Sequence, residues 1–112
     1  MNIYAEFRES IIGALLSLAE EGLLPKNLDY SKMTVEPPRE IAHGDLATNA
    51  AMVLAKQAGI NPRDLANHLL EKLRVLDGVM HAEVAGPGFI NLRLSLNCWR
   101  NVLQAVLRSG NA

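Results

Sequence analysis

Between Phe89 and Ser95 the chain alternates two kinds of residue. Ile90, Leu92 and Leu94 fall on one side of an extended strand; Phe89, Asn91, Arg93 and Ser95 fall on the other. The second set has a definite chemistry. A phenyl ring stacks on an unpaired nucleobase. A carboxamide both donates to and accepts from a base edge. A guanidinium pairs with phosphate or stacks on a plane. Together they suit the reading of one exposed nucleotide. The same pattern also describes a strand whose Phe89 anchors the preceding turn in the core while Asn91 satisfies turn backbone groups. The alternation alone does not separate the two.

Other candidates carry less. His43-Gly44-Asp45 sets an imidazole near a carboxylate, a pairing used in acid–base work and in metal binding. His68 and His81 are far away in sequence, and no second ligand stands at a helical or turn spacing. The spacing favours a structural use: Gly44 permits a tight bend, Asp45 caps a helix, and His43 stays with the loop. Gly86-Pro87-Gly88 lacks the following lysine and helix of a phosphate-binding loop. Cys98 has no His or Asp partner beside it, so it reads as structural, although a helix start can lower a thiol pKa. G-x-S-x-G and H-E-x-x-H are absent. The expectation is therefore no catalytic residue, no metal and no cofactor in this chain.

These residues must be positioned by a small scaffold. The chain has 112 residues, the size of one domain, so 1–112 is expected to form a single unit. It is 49% hydrophobic and 21% charged, which excludes a disordered chain. The longest apolar runs, such as Ile11 to Leu16, fall far short of the ~20 residues of a membrane span. The start has no basic segment before an apolar one, so no signal peptide is expected. One cysteine excludes a disulfide framework, and a reducing, cytoplasmic setting is the default. Net charge is −1, unlike a generic nucleic-acid coat. The stretch from Val84 onward is nevertheless +3, with Arg93, Arg100 and Arg108 and no acid.

Periodicity supplies the elements. Ile3, Phe7, Ile11, Leu15 and Leu18 form one stripe, predicting a helix over Asn2–Glu21 stopped at Gly22. A short strand is expected within Asp29–Glu36, ended by Pro37-Pro38, with a loop to Gly44. A second helix is expected from Asp45, with a small-sided face of Ala47, Ala50, Ala51, Leu54 and Ala58. Asn61-Pro62 opens a third, striped by Leu65, Leu69, Leu70 and Leu73. Val79–Ala85 and Phe89–Ser95 read as strands joined at Gly86-Pro87-Gly88. Asn97 is the expected cap of a last helix, with Trp99, Leu103, Val106 and Leu107 on one stripe, and Ser109–Ala112 trail as a tail or linker stump. The order α-β-α-α-β-β-α predicts an α+β fold, a small antiparallel sheet of three or four strands packed against about four helices.

Three runs resemble one family. His43-Gly44-Asp45-Leu46-Ala47-Thr48-Asn49-Ala50-Ala51 is similar to the HGDxATNxA signature of the N-terminal domain of bacterial arginyl-tRNA synthetases. Asn61-Pro62-Arg63-Asp64-Leu65-Ala66 resembles the start of that domain's third helix, and Val84-Ala85-Gly86-Pro87-Gly88-Phe89-Ile90-Asn91 its VAGPGFIN signature. The three come in order and the likeness covers nearly the whole chain. The resemblance implies a non-catalytic domain that contacts the D-loop at the elbow of tRNA(Arg). Phe89 and Asn91 would be the base-reading positions, presented by Gly86, Pro87 and Gly88, with Arg93 on the same strand. Arg93 stands where many relatives have an aromatic or apolar residue. The implied partners are the tRNA and the remaining domains of the ligase, and an isolated domain is expected to be monomeric. The family's HxGH and KMSKS motifs, which serve ATP and arginine in the class I catalytic domain, are absent from this chain. A docking module that seats the small-sided second helix on a neighbouring domain is the alternative reading.

Overall fold

A computed structural model describes residues 2–108. The first helix, α1, spans Ile3–Glu20. Asn2 caps it, its Oδ1 accepting from the backbone N–H groups of Tyr4 at 3.0 Å and Ala5 at 3.2 Å. At the other end Gly22 takes φ +85°, and the N–H groups of Gly22 and Leu23 donate back to Ala19 and Leu18. That paired closure satisfies carbonyls that would otherwise be orphaned. The expected stripe is buried at all five positions. The third helix, here α3, spans Pro62–Leu73 and starts as its sequence indicates, with Asn61 Oδ1 accepting from Arg63 and Asp64. On the surface, Lys72 of α3 pairs with Glu21 just past α1 and holds its carboxyl below the usual range.

Four strands form one antiparallel sheet. They are β1 (Val35–Glu36), β2 (Leu46–Thr48), β3 (Val79–Ala85) and β4 (Phe89–Leu94), in the spatial order β1-β2-β4-β3. β3 shifts register between Val79 and His81, where the alternation in sequence is also broken. Helix α2 (Ala50–Ala58) together with α1 and α3 covers one face of the sheet. There Ile90, Leu92 and Leu94 meet Leu54, Leu65, Leu69 and Leu73, all buried. Full burial of such a side chain stabilises by about 1.5–3 kcal/mol, so this layer dominates folding. The α+β class, the four helices and the antiparallel sheet are those expected.

Three local expectations are corrected. The second helix begins at Ala50 rather than Asp45, because 46–48 pair with β4: Leu46 opposite Leu92, Ala47 opposite Asn91, Thr48 opposite Ile90. Cross-strand pairing outweighs a local capping signal here. Asp45 instead accepts from Leu94 N–H at 2.7 Å, and Thr48 Oγ1 accepts from Ala50 N–H at 3.1 Å. The strand expected within Asp29–Glu36 contracts to two residues because side chains take the backbone groups before it. Asp29 Oδ1 accepts from Ser31, Gln57 bonds the Asp29 backbone in both directions, and Asn49 Oδ1 accepts from Thr34. The last helix, α4 (Leu96–Arg108), is capped by Ser95, whose Oγ accepts from Cys98 N–H at 3.2 Å, and not by Asn97. The side chains of Leu103, Val106 and Leu107 on its expected stripe, and the whole of Ser109–Ala112, lie outside the described residues.

One close approach fixes where β4 runs. Gly44 is buried at φ +132°, and a Cβ there would stand 2.7 Å from the Leu92 carbonyl oxygen. Gly44→Ala is expected to destabilise the fold by about 2 kcal/mol or more in urea unfolding. Gly13→Ala, in the middle of α1 with open space around it, is expected to stabilise by about 0.5–1 kcal/mol in the same assay. Cys98 is half-buried against the core, and burial, then Asp77, Glu6 and Asp45, push its thiol pKa up. The folded state thus prefers the protonated thiol, and stability falls as pH climbs through the ordinary thiol range. Alkylation of folded Cys98 at pH 8 is expected to be slower than that of the unfolded chain, followed by mass spectrometry.

Candidate nucleic-acid interface

The β3–β4 hairpin closes on Ala85 opposite Phe89, leaving Gly86, Pro87 and Gly88 as the turn. Gly86 takes φ +56° and Gly88 φ +145°. A Cβ on Gly88 would lie 3.1 Å from Met52 Cγ and 3.2 Å from Pro62 Cβ, so the turn sits directly against the first turns of α2 and α3. Arg63 at the start of α3 adds a latch, its Nη1 donating to the Gly86 carbonyl at 2.9 Å. The turn is held from below by packing and from the side by a charge-assisted hydrogen bond.

This places Phe89 at the first position of β4, with its residue surface 42% exposed. Two residues on, Asn91 shares the same face of the sheet but is only 7% exposed. The difference has a structural cause. β4 is a central strand, so Asn91 has β2 on one side and β3 on the other, whereas Phe89 lies at the hairpin end. Asn91 therefore forms part of a floor, and Phe89 stands at the rim. The groove they share has a volume of about 540 Å³, and Glu36, Arg39, His43 and Ala47 also line it.

The row across the floor reads Glu36, Ala47, Asn91, Glu83, one residue from each strand. Cross-strand partners lie on one face, and the methyl of Ala47 leaves the space beside Asn91 open. Neighbouring polar side chains are spoken for: Thr48 bonds Ala50, Asp45 bonds Leu94 and Arg93 bonds Ala42. The Asn91 carboxamide takes part in none of these bonds. No side-chain nitrogen or oxygen among the described residues is both buried and unpartnered, so that carboxamide opens on the groove. A donor–acceptor pair at the bottom of a slot beneath an aromatic rim can hold a flat heterocycle by its edge and face.

Arg93 occupies a different place from Phe89 and Asn91. Its Nη2 donates to the Ala42 carbonyl at 3.1 Å, tying β4 to the short 3₁₀ turn at Ile41–His43. That turn and Pro37–Glu40 make the far wall of the groove. His43 stands 3.9 Å from Glu40 on this wall, and Asp45 is bonded to Leu94, so the two form no acid–base dyad. Among the described residues no cluster of three His, Cys, Asp or Glu side chains is arranged to hold a metal ion. The groove lining carries both signs, with Glu36 and Glu40 against Arg39, so it offers no continuous track for a phosphate chain. Sequence reasoning missed the wall and the Arg63 latch. Pro37-Pro38 signals a rigid loop, but nothing local says that it folds over a strand some fifty residues later.

The small-sided face of α2 does not await a neighbouring domain. Ala50, Ala51, Leu54 and Ala55 are all buried inside this chain's own core. No helix among the described residues is long and apolar enough to cross a membrane.

Comparison with known proteins places the chain. Residues 5–94 match the family model described as the arginyl-tRNA synthetase N terminal domain. An arginine–tRNA ligase of Rhodospirillum rubrum is 53% identical over all 112 residues, and one of Parvibaculum lavamentivorans is 54% identical over the same length. The chain spans 19% of the length of each of these curated relatives. Among solved structures, the arginyl-tRNA synthetase of Thermus thermophilus shares the fold with a TM-score of 0.60 and 24% identity, over 96% of this chain and 15% of that one. The slot built on Phe89 and Asn91 thus lies within the stretch that the family model matches: the chain belongs to the arginyl-tRNA synthetase N-terminal domain family.

Proposed function

We propose that this chain is the tRNA-reading domain of an arginine–tRNA ligase and contacts the D-loop at the elbow of tRNA(Arg). Phe89 stacks on one unpaired base and the Asn91 carboxamide hydrogen-bonds that base's edge. Gly86, Pro87 and Gly88 present the ring and let nucleic-acid backbone come close to the turn. Arg93 serves the same site by holding the groove wall through Ala42. The observation that carries this reading is the pairing of a half-exposed phenyl rim with an open carboxamide floor on one strand. The arginine–tRNA ligase relatives support it by supplying an RNA substrate. Activation of arginine with ATP belongs, on this reading, to the rest of the ligase polypeptide.

The groove's mixed charge implies that the domain adds base selection more than affinity. Few phosphates are neutralised, so binding by this stretch alone is weak and only shallowly salt-dependent. In the full-length ligase, Phe89→Ala and Asn91→Ala are each expected to lower kcat/KM for tRNA(Arg) about tenfold or more, in line with the ~1–3 kcal/mol that stacking on one base contributes. A tRNA carrying substituted D-loop nucleotides is expected to penalise the wild type and not the variants. Unaltered charging by variants whose circular dichroism and melting match the wild type would refute the assignment.

A further inference from the structure

We propose that the apolar side of α4 docks on the remaining part of the ligase polypeptide and is buried there. The inference rests on family membership and not on the base-reading role. Helix α4 has two unlike sides. Asn97, Asn101 and Gln104 face a polar cleft shared with Asp77 of the α3–β3 connection. Leu96 and Trp99 are turned elsewhere and stand 71% and 40% exposed. In the sequence, Leu103, Val106 and Leu107 follow Trp99 at helical spacing. An amphipathic helix ordinarily lays its apolar stripe on its own core. Among the described side chains, the helix meets the core through Cys98 in its first turn, while the large apolar residues Leu96 and Trp99 stay outside.

The comparisons point to the occupant. The family model ends at residue 94, two residues before α4 begins, whereas identity of 53% to the Rhodospirillum rubrum ligase runs through all 112 residues. The α4 stretch is therefore shared with proteins that carry about four-fifths of their length outside the match. Arg100 lines the polar cleft with the amides, so the side that carries Leu96 and Trp99 offers the receiving surface an apolar contact.

The test is hydrogen exchange on the full-length ligase, wild type against Leu96→Glu and Trp99→Asp. Docking predicts that α4 amides exchange about tenfold or more slowly in the wild type than in either variant. Amides of α1 and α3 report whether the domain itself remains folded, and Trp99→Phe is expected to restore protection. Equal α4 exchange in wild type and both variants, with α1 and α3 protected, overturns the proposal. Protection that grows with ligase concentration also overturns it, because the occupant is then a second copy. Docking failure leaves the charging losses of Phe89→Ala and Asn91→Ala untouched, so the two readings fail separately.

Discussion

The register of β4 against its neighbours governs everything else in this molecule. Successive side chains of a strand point to opposite faces, and β4 uses both faces fully. Ile90, Leu92 and Leu94 complete the core on one side, and Phe89 and Asn91 make the groove on the other. A slip of one residue would carry the ring and the carboxamide into the helices and the leucines into water. Contacts to the β4 backbone hold the register. The N–H of Asp45 donates to the Leu92 carbonyl at 2.8 Å, its carboxylate takes the Leu94 N–H, and the missing side chain of Gly44 is what lets the two backbones meet.

A second set of contacts gives the groove its walls on a sheet of only four strands. A solvated sheet face is usually shallow. Here Pro37–His43 stands over one side and is tied down by Arg93, while the hairpin turn is fixed on the other by Gly88 and Arg63. Both walls are therefore anchored to rigid elements, and the small floor residue Ala47 keeps the space between them free. Pre-organisation of this kind limits the entropy lost when a flat ligand is immobilised.

Much of this was legible in the chain itself. Helix boundaries at Asn2, Gly22 and Asn61-Pro62 are written in residues with one strong local preference each, and the hairpin is marked by its two glycines. The alternation in Phe89–Leu94 placed Ile90, Leu92 and Leu94 in the core and Phe89 outside it, as the burial has them. It could not show that Asn91 lies at the bottom of a slot, because depth depends on neighbouring strands and on a loop far away in sequence. β2 was invisible for the same reason. Leu46-Ala47-Thr48 has no strand pattern of its own and runs directly into a good helix, and it becomes a strand only because β4 offers it a ladder. Asp45 and Asn97 looked like caps; a tertiary partner took Asp45, and Ser95 rather than Asn97 caps the last helix.

The strand order has a consequence for how the molecule is made. β1 and β2 neighbour each other, yet the next strand beside β2 is β4, which is translated roughly 45 residues later. A two-stranded ribbon has marginal stability in water. During synthesis the early ribbon must wait a few seconds for its partner at typical bacterial elongation speeds. Until Leu92 emerges from the ribosome the sheet is incomplete, and α1, α2 and α3 have only one another to pack against. Nascent chains stalled before that point should thus be sensitive to proteases and attractive to chaperones, whatever the helical propensity of the segments already exposed.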